Sequence, residues 1–278
     1  MTRAAANLGT HHGRLRRIEG RHNAAVKQLR RAFDRGELTE DGYLAIDGLR
    51  IVEEAIRSGL RFKAVFFSAS GENKADRLLP QIGAHTETLL LSDQLFASAV
   101  SAEAPQGVAA LVRFAELSTE EVLLRATRGP LLVLAGVQDP GNLGTILRSA
   151  EAFGAAGVLL GENTVSPFNP KVVRGSAGSI FRLPFARDRL DNIMSELRSR
   201  GMRLFATSSH KGTPLPEANL GENPAIFIGN EGAGLPRDLI AQMDELLAIP
   251  HSEKVESLNA GIAASIVLYE IARQRKSL

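Results

Sequence analysis

The 278-residue chain contains no cysteine. This excludes disulfides, thiolate metal sites, iron–sulfur clusters and a cysteine nucleophile. Aromatic residues make up 5% of the chain, too few for a platform on which successive single-stranded bases stack. Long apolar runs are also missing. The longest stretch free of charge is the thirteen residues Ser257 to Tyr269, whereas a membrane span needs about twenty. The N-terminus is polar and basic with no apolar segment behind it, so no secretory signal is expected. A cytoplasmic protein follows from these absences. His11 and His12 stand in a glycine-bearing segment and are read as incidental, and no metal is expected.

What is present is ordinary for a globular protein: 44% apolar and 23% charged residues. At roughly 150 residues per domain the length predicts about two domains, with about three quarters of the unfolded surface buried. The net charge of +2 hides an asymmetry. Residues 1–36 hold nine Lys/Arg (Arg3, Arg14, Arg16, Arg17, Arg21, Lys27, Arg30, Arg31, Arg35) against Glu19 and Asp34, a net +7 that leaves −5 on the rest. A basic end on a mildly acidic chain points to a polyanion, most commonly nucleic acid.

Residues 1–20 carry almost no large apolar side chains and are expected to form a flexible basic tail. From Arg21 the pattern turns helical, with Val26, Leu29 and Phe33 on one face and Lys27, Arg31 and Arg35 on another; Gly36 is a natural stop. Strands are predicted at Gly42–Ile46, Phe62–Ser68, Thr86–Leu91 and Gly107–Phe114. Helices fall between them at Leu49–Ser58, Asn73–Ile82 and Asp93–Val100. This alternation predicts a mostly parallel α/β sheet. Leu117–Thr127 reads as a connecting helix, punctuated by Gly129-Pro130. A second unit begins with the wholly apolar strand Leu131–Gly136, covered on both faces. Further strands are predicted at Gly157–Leu160, Arg203–Thr207, Ala225–Gly229 and Leu246–Ile249, and a closing helix from Leu258. The domains expected are thus 1–20 (tail), 21–115, 116–129 (linker) and 130–278.

Three segments of the second unit join a strand end to a polar loop, the position at which open α/β sheets bind ligands. In Gln138–Arg148, Gly141 and Gly144 permit a tight backbone, and Asn142 sits at a helix start that favours anions. Neither G-x-G-x-x-G nor a P-loop is present. In Ile226–Pro236, three glycines flank the carboxylate Glu231 and let the main chain approach a ligand; the structural alternative is that Glu231 simply caps its turn. In Ile249–Ala260, Ser257 and Asn259 flank a helix start, where either could cap the helix.

Together these segments resemble the three motifs of the SpoU (TrmH-like) RNA ribose methyltransferases of the SPOUT trefoil-knot superfamily. The strings are Asp139-Pro-Gly-Asn-Leu-Gly-Thr-Ile-Leu-Arg148, Ile228-Gly-Asn-Glu-Gly-Ala-Gly-Leu-Pro236, and Ile249-Pro250 with Val255-Glu-Ser-Leu-Asn259. More weakly, Arg21-His22-Asn23, Asp47-Gly48 and Pro105-Gln106-Gly107-Val108 are similar to the family's small ribosomal-protein-like substrate-binding domain, expected at 21–115. The resemblance implies a knotted C-terminal domain, a homodimer, and methyl transfer from S-adenosylmethionine to a ribose 2′-hydroxyl of structured RNA. Ribosomal RNA is favoured over transfer RNA because of the separate N-terminal domain. By motif match it places catalytic roles on Asn142, Arg148, Glu231, Ser257 and Asn259, and cofactor contacts on Gly229, Ile249 and Leu258, with Thr207 and Ser208 nearby. RNA contacts are expected from Arg21, Lys27, Arg30, Arg31 and Arg35. Guanidinium is effectively never deprotonated, so Arg148 is read as a phosphate grip and electrostatic stabiliser rather than a base. His251 departs from the family, which often has methionine there, and Ser252-Glu253-Lys254 replaces a shorter stretch; His251 is expected to pack or hydrogen-bond locally. A non-catalytic RNA-binding or ribosome-assembly factor is disfavoured because Arg148 and Asn142 are both present. A dinucleotide-dependent enzyme is disfavoured because the glycine fingerprint is missing.

Overall fold

The computed structural model describes residues 14–100, 105–126, 128–209, 211–221, 223–252 and 254–275. Most of the expected basic tail, including Arg3, His11 and His12, lies outside them. The chain divides into two units, Met1–Ala115 with Phe168–Phe181, and Glu116–Pro167 with Arg182–Leu278.

The first unit contains, in chain order, β1 (Arg16–Ile18), α1 (Ala24–Arg35), β2 (Tyr43–Asp47), α2 (Leu49–Arg57), β3 (Phe62–Ser68), α3 (Ala75–Leu78), β4 (Glu87–Leu91), α4 (Asp93–Ala99) and β5 (Val108–Arg113). Helix α1 starts where the Asn23 side chain accepts the Ala25 and Val26 N–H groups, and stops at Gly36 in the left-handed region, φ +59°. Val26, Leu29 and Phe33 are buried among Phe66, Leu89 and Phe96, as the spacing predicts.

Three readings change here. Residues 16–18, placed in the tail, form an edge strand parallel to β4. The sheet, in the order β1-β4-β3-β5-β2, is mixed: β5 lies antiparallel to both β2 and β3. Alternation of strand and helix fixes the layers of a sheet but not the direction of each strand, and mixed sheets are common. The expected helix Asn73–Ile82 is broken into α3 flanked by 3₁₀ turns. Pro80 has no N–H, so the α-helical hydrogen bond back to the Asp76 carbonyl cannot form there, and the chain continues as a 3₁₀ turn with Pro80 in its first turn.

The second unit contains α5 (Thr119–Arg125), β6 (Leu131–Ala135), α6 (Pro140–Ala152) and β7 (Gly157–Leu160). The chain then makes α7 (Pro170–Gly175), which groups with the first unit, and returns through β8 (Phe185–Arg187), α8 (Leu190–Ser199), β9 (Leu204–Ser208), β10 (Thr213–Pro214), β11 (Ala225–Gly229), α9 (Arg237–Ile240), β12 (Glu245–Ala248) and α10 (Ala260–Gln274). The sheet order is β10-β12-β9-β11-β6-β7-β8, with every pairing parallel. The apolar strands β6 and β11 pair at its centre.

Two domain boundaries differ from the sequence reading. The expected linker 116–129 contains α5, which a Ser118–Glu121 capping box starts and whose Val122 and Leu123 sit in the second unit's core. Phe168–Phe181, expected inside 130–278, belongs with the first unit. There the Phe168 ring meets Phe114 edge-on at 5.6 Å, and Arg174 Nη1 pairs with the buried Asp47 Oδ1 at 2.9 Å.

Helices α6 and α10 run alongside each other in parallel. Thr145 meets Gly261, Ser149 Oγ lies 2.7 Å from Ser265 Oγ, and the Phe153 and Tyr269 rings touch edge-on. The small residues at this seam let the two backbones approach closely. The pair leaves an outer face bearing Arg148 on α6 and, on α10, Ile262 (52% exposed), Tyr269 (47%) and the half-buried Ile266.

Candidate active site

Because all strands of the second unit's sheet are parallel, the C-terminal ends of β6, β9, β11 and β12 share one edge, where ligands of such sheets bind. A cleft of about 240 Å³ opens there, and Thr207, Ser208, Gly229, Ile249, Ser257 and Leu258 all line it. The five residues expected around a cofactor are thus brought together, and Ser257 with them. Ile249 and Leu258 supply apolar walls, while the strand ends present main-chain donors and acceptors, the pairing a purine requires.

The loop after β11 is held shut by its own backbone. Asn230 and Gly234 exchange N–H···O bonds at 3.1 and 3.0 Å. The Asn230 amide accepts the Gly232 and Ala233 N–H groups and donates to the Gly136 carbonyl at 2.8 Å, tying the loop to the end of β6. Gly229 is enclosed by this arrangement. A Cβ there would lie 2.4 Å from the Gly234 carbonyl carbon. The sequence reading gave Asn230 no role; its signal was an amide between a strand end and a glycine, where side chains commonly satisfy a turn's backbone.

Next to the cleft, a chain of amides has only one possible polarity. Asn259 caps α10 by accepting the Gly261 and Ile262 N–H groups with its Oδ1. Its Nδ2 must therefore point away, and donates to Asn142 Oδ1 at 2.8 Å. Asn142 in turn donates from Nδ2 to Glu231 Oε1 at 2.8 Å. Glu231 also accepts the Gln138 and Asp139 N–H groups, both at 3.3 Å. A carboxylate at the end of the chain accepts only, so every amide upstream has its orientation fixed. Burial pushes the Glu231 carboxyl up, but the bonds from Asn142, Gln138 and Asp139 outweigh it and hold it below the usual range. Glu231 therefore clamps the β6–α6 turn, and its own backbone N–H also contributes to lowering its pKa. Asp139 completes that turn by accepting the Asn142 N–H at 2.9 Å.

This polarity makes Asn142→Asp informative. It sets a second carboxylate against Glu231 at a position 7% exposed, and like charges that close raise the pKa of one partner. A carboxyl whose folded pKa is raised favours the folded state when protonated. The melting temperature of N142D is thus expected to fall below wild type at neutral pH and to approach it as pH drops through the pair's raised pKa. A deficit that does not change with pH would show the contact is not felt.

Arg148 is not brought into the cleft. It stands exposed on the outer face of α6 and makes no hydrogen bond or ion pair among the described residues. His251 donates locally from Nδ1–H to the Ile249 carbonyl at 2.7 Å, because a carbonyl oxygen only accepts. In the first unit, Arg21, Lys27, Arg31 and Arg35 are exposed. Arg30 differs: it donates to the Ser98 carbonyl at 2.9 Å and hydroxyl at 3.1 Å, fastening α1 to the end of α4. Among the described residues no group of three or more His, Asp or Glu is placed to hold a metal ion, and no helix is long and apolar enough to cross a membrane.

A parallel sheet whose edge carries a glycine-lined cleft beside an oriented amide chain defines a ligand-binding α/β domain, joined here to a small mixed α/β unit. Residues 129–269 match the SpoU rRNA Methylase family, and residues 23–110 match the MRM3-like substrate binding domain. The chain is 33% identical over 257 residues to the 23S rRNA (guanosine(2553)-2′-O)-methyltransferase RlmP of Bacillus subtilis, covering 92% of this chain and 99% of that one. Among solved structures it is similar to the SpoU methyltransferase AviRb of Streptomyces viridochromogenes in complex with AdoMet (TM-score 0.80, 29% identity, 92% and 99% of the two chains). It is also similar to an AdoMet-bound rRNA methyltransferase from Sinorhizobium meliloti (TM-score 0.81, 26% identity, 94% and 99%). The chain belongs to the SpoU rRNA methylase family and is an RNA methyltransferase.

Proposed function

We propose that this protein transfers the methyl group of S-adenosylmethionine to a ribose 2′-hydroxyl of ribosomal RNA in the cytoplasm, as a homodimer with the family's knot in its second unit. The observation that carries this reading is the convergence of Thr207, Gly229, Ile249 and Leu258 on one cleft beside the Asn259–Asn142–Glu231 chain. S-adenosylmethionine is the methyl donor. The residues present fit it: a closed glycine turn offers backbone at Gly229, and Ile249 and Leu258 form an apolar slot. When bound, it supplies an already activated sulfonium methyl, leaving alignment and handling of the hydroxyl proton to the protein.

Alignment falls to the amide chain. With its polarity fixed, Asn142 presents the same face to a sugar on every encounter, and holding reactants in line is worth several kcal/mol. Glu231 is engaged by three donors and its pKa is lowered, which makes it a weak base and a good clamp. Arg148 stabilises the alkoxide that develops as the hydroxyl loses its proton, and grips the adjacent phosphate.

The dimer rests on the outer face of α6 and α10. The exposed Ile262 and Tyr269 and the half-buried Ile266 form an apolar stripe there, and an isologous contact through it brings Arg148 of each protomer to the interface.

The exposed cations of α1 supply the backbone grip. If six to ten phosphates are engaged, RNA affinity falls about 10³- to 10⁵-fold between 50 and 200 mM salt. Filter binding across that range tests this, and a flat response would contradict it. Calorimetric titration with S-adenosylmethionine tests the cofactor assignment, and absence of uptake would overturn it.

A further inference from the structure

A second cleft belongs to the first unit. It measures about 350 Å³ and runs between α1 and residues 38–41. One wall carries Lys27, Arg31 and Arg35, and none of the three has a hydrogen-bond or ion-pair partner among the described residues. They recur every fourth residue, so they rise about 6 Å apart along the helix, a spacing that suits consecutive phosphates of a nucleic-acid strand. The opposite wall is built, not loose. Asp41 accepts from Gln28 at 2.6 Å, Thr39 at 2.7 Å and Lys63 at 2.7 Å, which fixes the loop to α1 and to β3. Burial alone would raise the Asp41 carboxyl, but these bonds bring it down to about 2. Its charge is matched by Lys63, so it does not cancel the three free cations.

The wall chemistry restricts the occupant. Ala24, Ala32 and Leu38 give a shallow apolar floor with no aromatic ring, so the cleft does not stack a run of bases. Its volume lies at the lower end of small-molecule pockets, roughly 300–1,000 Å³, which suits one nucleotide. Glu40 on the rim repels phosphate and accepts from amino groups. The two walls thus match a nucleotide with its phosphates along α1 and its base edge toward Glu40.

We propose that this cleft receives one unpaired nucleotide of the substrate RNA, anchoring the RNA outside the methyltransferase site. The proposal rests on the RNA methyltransferase reading and adds to it a specific capture site.

The test separates the cavity from mere charge. Ala24 is exposed on the cleft wall, so Ala24→Trp fills the space without changing the charge. Full-length wild type, A24W, Arg31→Gln and the second-unit charge control Arg125→Gln are compared on deproteinised ribosomal RNA from a strain lacking the gene. Affinity is read by filter binding at several salt concentrations, and turnover by labelled methyl transfer. A24W is expected to raise KM for RNA about tenfold with kcat, S-adenosylmethionine affinity and the salt slope unchanged. R31Q is expected to lower the salt slope by about one, and R125Q to change neither. Wild-type KM and affinity in A24W would overturn the proposal, as would competition with RNA by micromolar GTP or ATP, which would mark a free-nucleotide site. If wild type transfers no methyl to RNA, the underlying reading fails instead, and the A24W binding curve still decides whether RNA occupies the cleft.

Discussion

Arg148→Ala is expected to reduce methyl transfer by about 10²- to 10³-fold, the usual effect of removing one donor aimed at a developing oxyanion. The affinity for S-adenosylmethionine should stay at the wild-type level, because Arg148 does not line the cleft. Folding should be unaffected too: the side chain is exposed and unpartnered among the described residues, and such substitutions stay within about 0.5 kcal/mol. Arg148→Lys keeps the charge but loses the planar fork, so it should recover only part of the rate.

The position of Arg148 on the outer α6–α10 face makes a sharper test available. If it serves the partner's cleft, mixing R148A with a variant that cannot hold the cofactor restores one working site in each mixed dimer. Random assortment then gives about a quarter of wild-type activity. If Arg148 serves its own cleft, every site in the mixture is defective and no activity returns.

Gly229→Ala is the suitable partner, provided S-adenosylmethionine is held well below its dissociation constant for that variant so that the G229A sites stay empty. An added Cβ would lie 2.4 Å from the Gly234 carbonyl carbon, 2.6 Å from the Leu235 nitrogen and 2.7 Å from the Gly234 oxygen. All three are backbone atoms, held in place by the Asn230–Gly234 exchange, so the loop must move as a whole. Strain of this kind costs about 1–3 kcal/mol. If it is charged against cofactor binding, affinity drops roughly 5- to 150-fold. Gly232→Ala in the same loop meets nothing closer than 3.6 Å and should keep the wild-type melting temperature of the cofactor-free protein, whereas G229A lowers it. Unchanged calorimetric affinity in G229A would show that the loop yields freely and does not shape the cleft.

Local patterns were the most readable part of this chain. The wholly apolar Leu131–Ala135 declared a central strand, and Val26, Leu29 and Phe33 declared the buried face of α1. The strand-to-loop segments at Asn142, Gly229 and Leu258 could be assigned to one site because parallel strands end at one edge. What escaped depends on partners distant in sequence. Nothing near Arg174 announces Asp47, 127 positions away, so the allegiance of Phe168–Phe181 to the first unit was invisible. The reversed direction of β5 leaves no periodicity of its own. Arg30 looks like its neighbours on α1 until Ser98 is placed beside it. The role of Glu231 was ambiguous for the same reason: a carboxylate between glycines can cap its own turn or clamp another, and only the positions of Gln138, Asp139 and Asn142 decide.

The most direct measurement is the chemical location of the transferred methyl group. Ribosomal RNA from a strain lacking the gene is incubated with the protein and S-adenosyl-[methyl-³H]methionine, then hydrolysed in alkali. A methylated 2′-oxygen cannot attack the neighbouring phosphate, so the account predicts label in an alkali-resistant dinucleotide. Label in mononucleotides would place the methyl on a base, and together with an unlabelled dinucleotide fraction would contradict an active site built to hold a ribose hydroxyl beside the donor.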